Sequence, residues 1–211
     1  MTLDEDAGDR LHECVASGGV AVFPSDTVYG ICCDPENEAA ARRLYALKGR
    51  PAARACAVMF FALEDALDQL DDLHESERDA LLALLPGPVT LLLPNRSGRF
   101  TAACRVDPGT LGLRVPALPD AISSLVNVSV PVLQSSANLS GEPDARTLEQ
   151  VPAQLRDGAD LVLDGGELPG VPSTVIDLRD LDSEGRWYVM RDGALPRERA
   201  EQALGTLARA A

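Results

Sequence analysis

The sequence predicts one α/β domain spanning residues 1–211, with a core over about 10–195. Short apolar runs stopped by Pro or Gly intermix along the chain with segments of helical periodicity, the pattern of strands and helices sharing one core. The chain has 211 residues, 45% of them hydrophobic, enough to bury a sizeable interior. No internal repeat or low-complexity linker divides it.

The elements follow in order. A helix over about 4–17 carries Leu11, Cys14 and Val15 on one face and ends at Gly18-Gly19. Residues 20–23 make a buried strand halted by Pro24. Asn37 caps a helix through Ala39, Ala40, Leu44 and Leu47. Residues 55–62 read as a second buried strand. Acidic helical segments follow near 63–71 and 75–85, and their carboxylates read as a solvated face. Pro86-Gly87-Pro88 breaks the chain, and apolar strands follow at 89–93 and 111–115. A helix is expected after Pro119 and a strand at 130–133. Thr147 begins a further helix, with Gln150 at capping-box spacing. The last strands fall at 161–163, 173–178 and 187–190, and residues 198–210 form a terminal helix.

Composition narrows the function. The net charge of −14 disfavours broad, non-specific binding to nucleic acid or anionic membrane. The N-terminus is acidic with no apolar stretch, and no apolar run approaches the ~20 residues of a membrane span. Five cysteines form no Cys-x-x-Cys pair and sit among apolar residues, so they read as reduced, mostly buried thiols of a cytoplasmic protein. His12 and His74 lack ligand spacing, and no metal ligand is assigned. Phosphate-binding P-loop, dinucleotide-binding and nucleophile-elbow motifs are all missing.

Polar side chains gather where apolar strands end. The run to Leu133 gives way to Ser135, Ser136, Asn138 and Ser140, then Gly141. Residues 23–30, Phe-Pro-Ser-Asp-Thr-Val-Tyr-Gly, repeat the pattern with Ser25, Asp26, Thr27 and Tyr29. Lys48 and Arg50 lie at a helix end on a Gly/Pro-kinked loop, with Arg54 just beyond. An ammonium and guanidinium forks there suit polyphosphate. Arg114, set among strand residues, is either a buried ion-pair member or a carboxylate clamp. Ser173 opens one apolar strand and Arg191 ends another. In α/β sheets ligands sit at the carboxyl ends of strands. One anion-binding cavity accounts for these cations and hydroxyls together.

Seven motifs in this order resemble the YrdC-like family of threonylcarbamoyl-AMP synthases. They are Pro-Ser-Asp-Thr-Val-Tyr-Gly, Lys-Gly-Arg-Pro, Pro-Gly-Pro-Val-Thr, Arg-Val-Pro, Ser-Ser-Ala-Asn-Leu-Ser-Gly, Pro-Ser-Thr-Val-Ile-Asp and Met-Arg-Asp-Gly. The resemblance runs from about Gly19 to Gly193 and is to the short, single-domain members. It implies a twisted mixed sheet with flanking helices around a basic cavity. It also implies synthesis of threonylcarbamoyl-AMP and pyrophosphate from L-threonine, bicarbonate or CO2, and ATP. The product would serve threonylcarbamoyl modification of adenosine 37 in tRNA through a separate transferase; direct tRNA contact stays open.

By the same resemblance, Thr27, Tyr29, Arg114 and Ser173 hold threonine. Arg50, Arg54, Ser136, Asn138 and Arg191 hold ATP. Lys48, Arg50, Ser136 and Asn138 form the catalytic group, and Mg2+ travels mainly on the ATP phosphates. The chain departs from the family pattern at Arg54-Ala55-Cys56, at Arg191-Asp192-Gly193, and at Ser25. A non-synthase superfamily member acting as a nucleotide- or RNA-binding module is the alternative, and a carbamoyl-phosphate user is a third.

Overall fold

The computed structural model describes residues 2–49, 56–104 and 107–205. Its centre is a nine-stranded sheet of β1 (Ala21–Pro24), β2 (Tyr29–Cys33), β3 (Ala57–Met59), β4 (Val89–Pro94), β5 (Thr110–Arg114), β6 (Val132–Ser136), β7 (Leu161–Val162), β8 (Thr174–Asp177) and β9 (Tyr188–Arg191). Across the sheet the order is β7-β1-β2-β6-β3-β5-β4-β8-β9. The pairs β7/β1, β3/β5 and β4/β8 run parallel and the others antiparallel, so the sheet is mixed. The helices are α1 (Ala7–Ala16), α2 (Glu38–Leu47), α3 (Leu63–Gln69), α4 (Glu75–Leu84), α5 (Ala153–Gly158), α6 (Leu181–Glu184) and α7 (Arg197–Leu204).

Side chains alternate across a strand, so each strand is divided between two faces. On one face Val22, Ile31, Leu133, Val58, Leu113, Leu91 and Ile176 join the larger core, with Leu44 of α2, Leu81 of α4 and Ala200 of α7. On the other, Phe23, Cys32, Val132 and Met59 pack with Leu11 and Val15 of α1 and with Ile122 and Leu125 of a 3-10 segment (Asp120–Asn127). That second cover does not extend over the whole face. Beyond it Gln134, Ser136, Ala57, Gly112, Arg114, Thr90, Leu92 and Val175 line a cavity of about 680 Å3.

Asn37 caps α2 as expected, its Oδ1 accepting from the N–H groups of Ala39 and Ala40 at 3.0 Å each. Other elements differ from expectation. β2 was not expected: all five of its residues are buried, so Tyr-Gly-Ile-Cys-Cys shows no polar alternation to mark it. The helix after Pro119 is a 3-10 segment with non-helical geometry at Ile122. The helix from Thr147 is a single 3-10 turn (Leu148–Gln150), followed by α5 after Pro152. Gln150 accepts from the N–H of Arg146, not from Thr147, so no capping box forms. Glu77 is no part of a solvated face: it is fully buried, clasped by Arg96 through two bonds of 2.8 Å. The expected strand from 55 is β3 alone, residue 55 lying outside the described residues. Residues 206–210 of the terminal helix lie outside them too. The five cysteines are free, four buried and Cys14 half-buried. Burial pushes the Cys33 thiol up to about 12 and the Cys104 thiol to about 11, which leaves both in the unreactive thiol form.

Candidate active site

The cavity wall nearest the β1–β2 hairpin is built around Arg114, the last residue of β5. Its Nη2 donates to Asp26 Oδ1 at 2.7 Å and to Thr27 Oγ1 at 3.2 Å. Both members of the ion pair are nearly inaccessible, at 4% and 5% side-chain exposure. Asp26 also accepts from the N–H of Ala117 at 3.1 Å, which ties the hairpin to the segment after β5. Burial raises the Asp26 carboxyl above its ordinary range against the pull of Arg114. Burial likewise lowers the Arg114 guanidinium, against Asp26 and helped by the charge of Arg191. A guanidinium keeps its proton in either case, and the short charge-assisted contact keeps the pair ionic. Of the two alternatives left open for Arg114, the buried ion pair is realised. Arg114 Nε is a buried donor with no partner among the described residues, on a side chain that lines the cavity. An unmet buried donor costs about 1–3 kcal/mol, which a ligand acceptor would recover.

The opposite wall is the end of β6. Ser136 Oγ donates to Asn138 Oδ1 at 2.7 Å. Lys48, at the C-cap of α2, reaches in to the same place, its Nζ donating to the Ser136 carbonyl and to Asn138 Oδ1 at 3.2 Å. Lys48 is only 2% exposed, so the ammonium is held in position by the site itself. Asn138 Nδ2 in turn donates to the Glu142 carbonyl, closing the turn over Gly141.

The third wall comes from β4, β8 and β9. Ser173 Oγ and Thr90 Oγ1 lie 2.9 Å apart. Arg191 forks onto the Ser173 carbonyl through Nε at 3.2 Å and Nη2 at 2.7 Å. Gly193 lets this arm close: a Cβ there would come within 2.3 Å of the Pro172 carbonyl oxygen. Ala194 N–H donates to that same oxygen at 2.9 Å, so the arm is anchored with Asp192 at its turn.

Thus the structure brings Lys48, Arg114, Ser136, Asn138, Ser173 and Arg191 to one cavity, with Thr27 behind Arg114. Tyr29 is placed elsewhere. Its ring packs in the larger core, and its hydroxyl lies 3.0 Å from Asp164 Oδ1 and 2.8 Å from the Gly166 carbonyl. Period two in β2 dictates this, because Gly30 and not Tyr29 faces the cavity side, and Tyr29 braces the core. Arg50 and Arg54 lie outside the described residues. The lining is also of mixed charge: Asp107, Glu142 and Asp144 share it with Lys48, Arg114, Arg179 and Arg191. Sequence reading missed Asp26 as the Arg114 partner, Thr90 as the Ser173 partner, and Gln134 on the cavity side of β6. Asp26 and Thr90 had a signal, each standing inside a motif already singled out.

The sequence model of the Sua5/YciO/YrdC family, described as "Telomere recombination", matches residues 13–193. The chain belongs to this family. Among relatives named threonylcarbamoyl-AMP synthase, that of Idiomarina loihiensis is 32% identical over 75% of this chain and 86% of its own length. The one from Stutzerimonas stutzeri is 36% identical over 81% of this chain and 91% of its own. A structure of Pyrococcus abyssi Sua5 complexed with L-threonine superposes with a TM-score of 0.81 at 29% identity, over 96% of this chain. The chain spans only 58% of that longer Sua5 protein. Escherichia coli YciO superposes with a TM-score of 0.74 at 26% identity, over 93% of both chains.

Proposed function

We propose that the cavity makes threonylcarbamoyl-AMP and pyrophosphate from L-threonine, bicarbonate or CO2, and ATP. The product would feed threonylcarbamoyladenosine modification of tRNA through a downstream transferase. One observation carries the reading. The cavity gathers a buried guanidinium with an unmet donor on one wall and a buried ammonium with hydroxyl and amide partners on the other, all on motif residues of a family whose relatives bear that name.

The geometry suits the chemistry. Arg114, with Thr27 and Ser173, takes the amino acid carboxylate. Lys48, Ser136, Asn138 and Arg191 take the nucleotide phosphates, and Arg50 and Arg54 join them by family resemblance. The threonine amine and CO2 form a carbamate, whose oxygen attacks the α-phosphorus while the bond to the β-phosphate breaks. Such a step asks for positioning and for cations held where charge builds up, not for a proton-transfer histidine. Mg2+ would accompany the phosphates and neutralise part of their charge. The carboxylates of Glu142 and Asp144, on the Asn138 side of the cavity, fit it as oxygen donors, since Mg2+ needs only one or two from protein.

No helix among the described residues is long and apolar enough to cross a membrane. The free thiols suit the reducing cytoplasm.

The test is to mix purified protein with ATP, Mg2+, bicarbonate and L-threonine, following pyrophosphate release and the adenylate by mass. Product that depends on both threonine and bicarbonate is expected. Tight ATP binding without any adenylate would overturn the reading in favour of a nucleotide-binding module.

A further inference from the structure

Gly112 is a glycine that the protein's own packing does not require. It lies inside β5 and is buried. Glycine weakens a strand interior, and where it stands there it often marks a bulge or the close approach of another backbone or a ligand. There is no bulge: β5 pairs with β3 and with β4 in unbroken register across Gly112. No neighbouring backbone presses on it either. A Cβ on Gly112 would meet Ala57 Cα at 3.5 Å and Ala57 Cβ at 3.6 Å, ordinary van der Waals distances, and its φ is not positive. The other glycines have a reason within the chain. Each has a positive φ, stands in an exposed turn (Gly109), or would place a Cβ 2.8 Å or less from a neighbour.

Close approach of a ligand is what remains, and the placement of Gly112 agrees. It lines the cavity together with Arg114, two residues along the same strand, whose buried Nε has no partner among the described residues. Gly112 is also the centre of a row that crosses five strands: Gln134, Ala57, Gly112, Leu92 and Asp177 each stand opposite the next. Neighbouring strands lie ~4.8 Å apart, so the row runs about 19 Å with Gly112 at its middle. Ala57, Gly112 and Leu92 bring no polar side chain to this floor, and at Gly112 it is bare backbone. The groups assigned to the nucleotide stand on both sides of it: Lys48, Ser136 and Asn138 around the end of β6, and Arg191 on β9. A nucleotide that touches both walls crosses the floor between them, over β5. L-Threonine, seated on Arg114, is too short to join the two walls.

We propose that Gly112 is a nucleotide contact: with no side chain at the centre of the floor, ATP lies against the sheet and reaches both walls at once. The assignment rests on the ATP reading of the cavity. A side chain there would occupy the ligand's space and not the protein's, so binding and stability separate. Alanine suits a strand interior better than glycine, yet its methyl lifts the nucleotide off the floor.

The experiment measures equilibrium binding of ATP with Mg2+, and of L-threonine, to the wild-type protein and to Gly112→Ala, with thermal melting of both. Gly112→Ala should melt at or above the wild-type temperature and bind threonine as the wild type does. Its ATP affinity should fall about tenfold, the effect of forcing one extra methyl into a filled space. Unchanged ATP affinity in Gly112→Ala overturns this assignment alone. A Gly112→Ala protein that melts well below wild type, or fails to fold, also overturns it, because the glycine then serves the fold. A fall in threonine affinity as large as the fall for ATP, or larger, overturns it in favour of a floor under the amino acid. Failure of the wild type to bind ATP overturns both this assignment and the reading beneath it.

Discussion

One face of the sheet does two different things. Over β1, β2 and the far ends of β6 and β3 it is covered by α1 and the 3-10 segment, and Phe23, Val132 and Met59 are buried against them. Over β5, β4 and β8, and the near ends of β6 and β3, the cover stops and the same face presents Gln134, Ser136, Arg114 and Thr90 to a cavity. β6 shows the change within a single strand, running Val132, Gln134, Ser136 along that face. In the covered half, packing fixes the residues. In the open half, polar groups are fixed by one another, and Arg114 Nε is left without a partner among the described residues. Strand alternation alone therefore does not separate core from site; what lies above the strand does.

Four changes test that contrast. Asp26→Ala should have the largest effect on stability, because it leaves Arg114 as an unpaired buried charge. Breaking a buried pair in this way costs about 3–5 kcal/mol, readable as a lower urea midpoint. A loss below 1 kcal/mol would mean the cavity wall relaxes and admits water. Met59→Ala, in the covered half, should cost about 3 kcal/mol through the vacated volume. Its threonine and ATP affinities should stay near wild type; a large change in either would show that the two halves are coupled. Arg114→Lys should weaken threonine about tenfold and ATP much less, since a compact ammonium lacks the planar fork whose separate nitrogens can hold Asp26 and face a carboxylate at once. Equal weakening of both ligands would contradict the threonine assignment.

The smallest effect concerns Asp177, the partner of Arg179 in the cavity lining. Burial pushes its carboxyl up, but the Arg179 guanidinium and backbone N–H outweigh burial and hold it below the ordinary value. The bonds from Arg179 run 2.9 Å to Oδ1 and 2.6 Å to Oδ2. A depressed carboxyl stabilises the fold above its unfolded value near about 4, and that stability is lost as pH falls through the lower folded value. Asp177→Asn should flatten this acid limb of the melting-temperature profile while changing little at pH 7. An unaltered limb would assign acid sensitivity to other carboxylates.

The strands of the larger core were legible because Val89, Leu91 and Leu93, or Leu111 and Leu113, are apolar whatever faces their neighbours. Asn37 was legible because a cap acts on its own helix. The motif hydroxyls and cations were legible as a set. β2 was hidden because burial on both faces erased its alternation. Gln134 was hidden because the apolar run ends at Leu133, so the next residue read as the start of a turn. Glu77 and Asp26 were hidden for one reason: each is buried by a cation distant in sequence, Arg96 and Arg114, and no local pattern announces that partner.

The site's side chains are drawn from Thr27 to Arg191, and Arg191 hangs from β9 at the sheet's outer edge. A domain generally folds as a unit, and all nine strands here share one sheet. Its first strands are held by late ones, β1 by β7 and β2 by β6, so neither the sheet nor the cavity closes until most of the chain is made. A fragment released before β9 would lack the arm across Ser173 and, with α7, part of the larger core. The affinity of this protein for its ligands is thus withheld until translation has passed the last strand, and truncated products would compete poorly for the substrates of the finished chain.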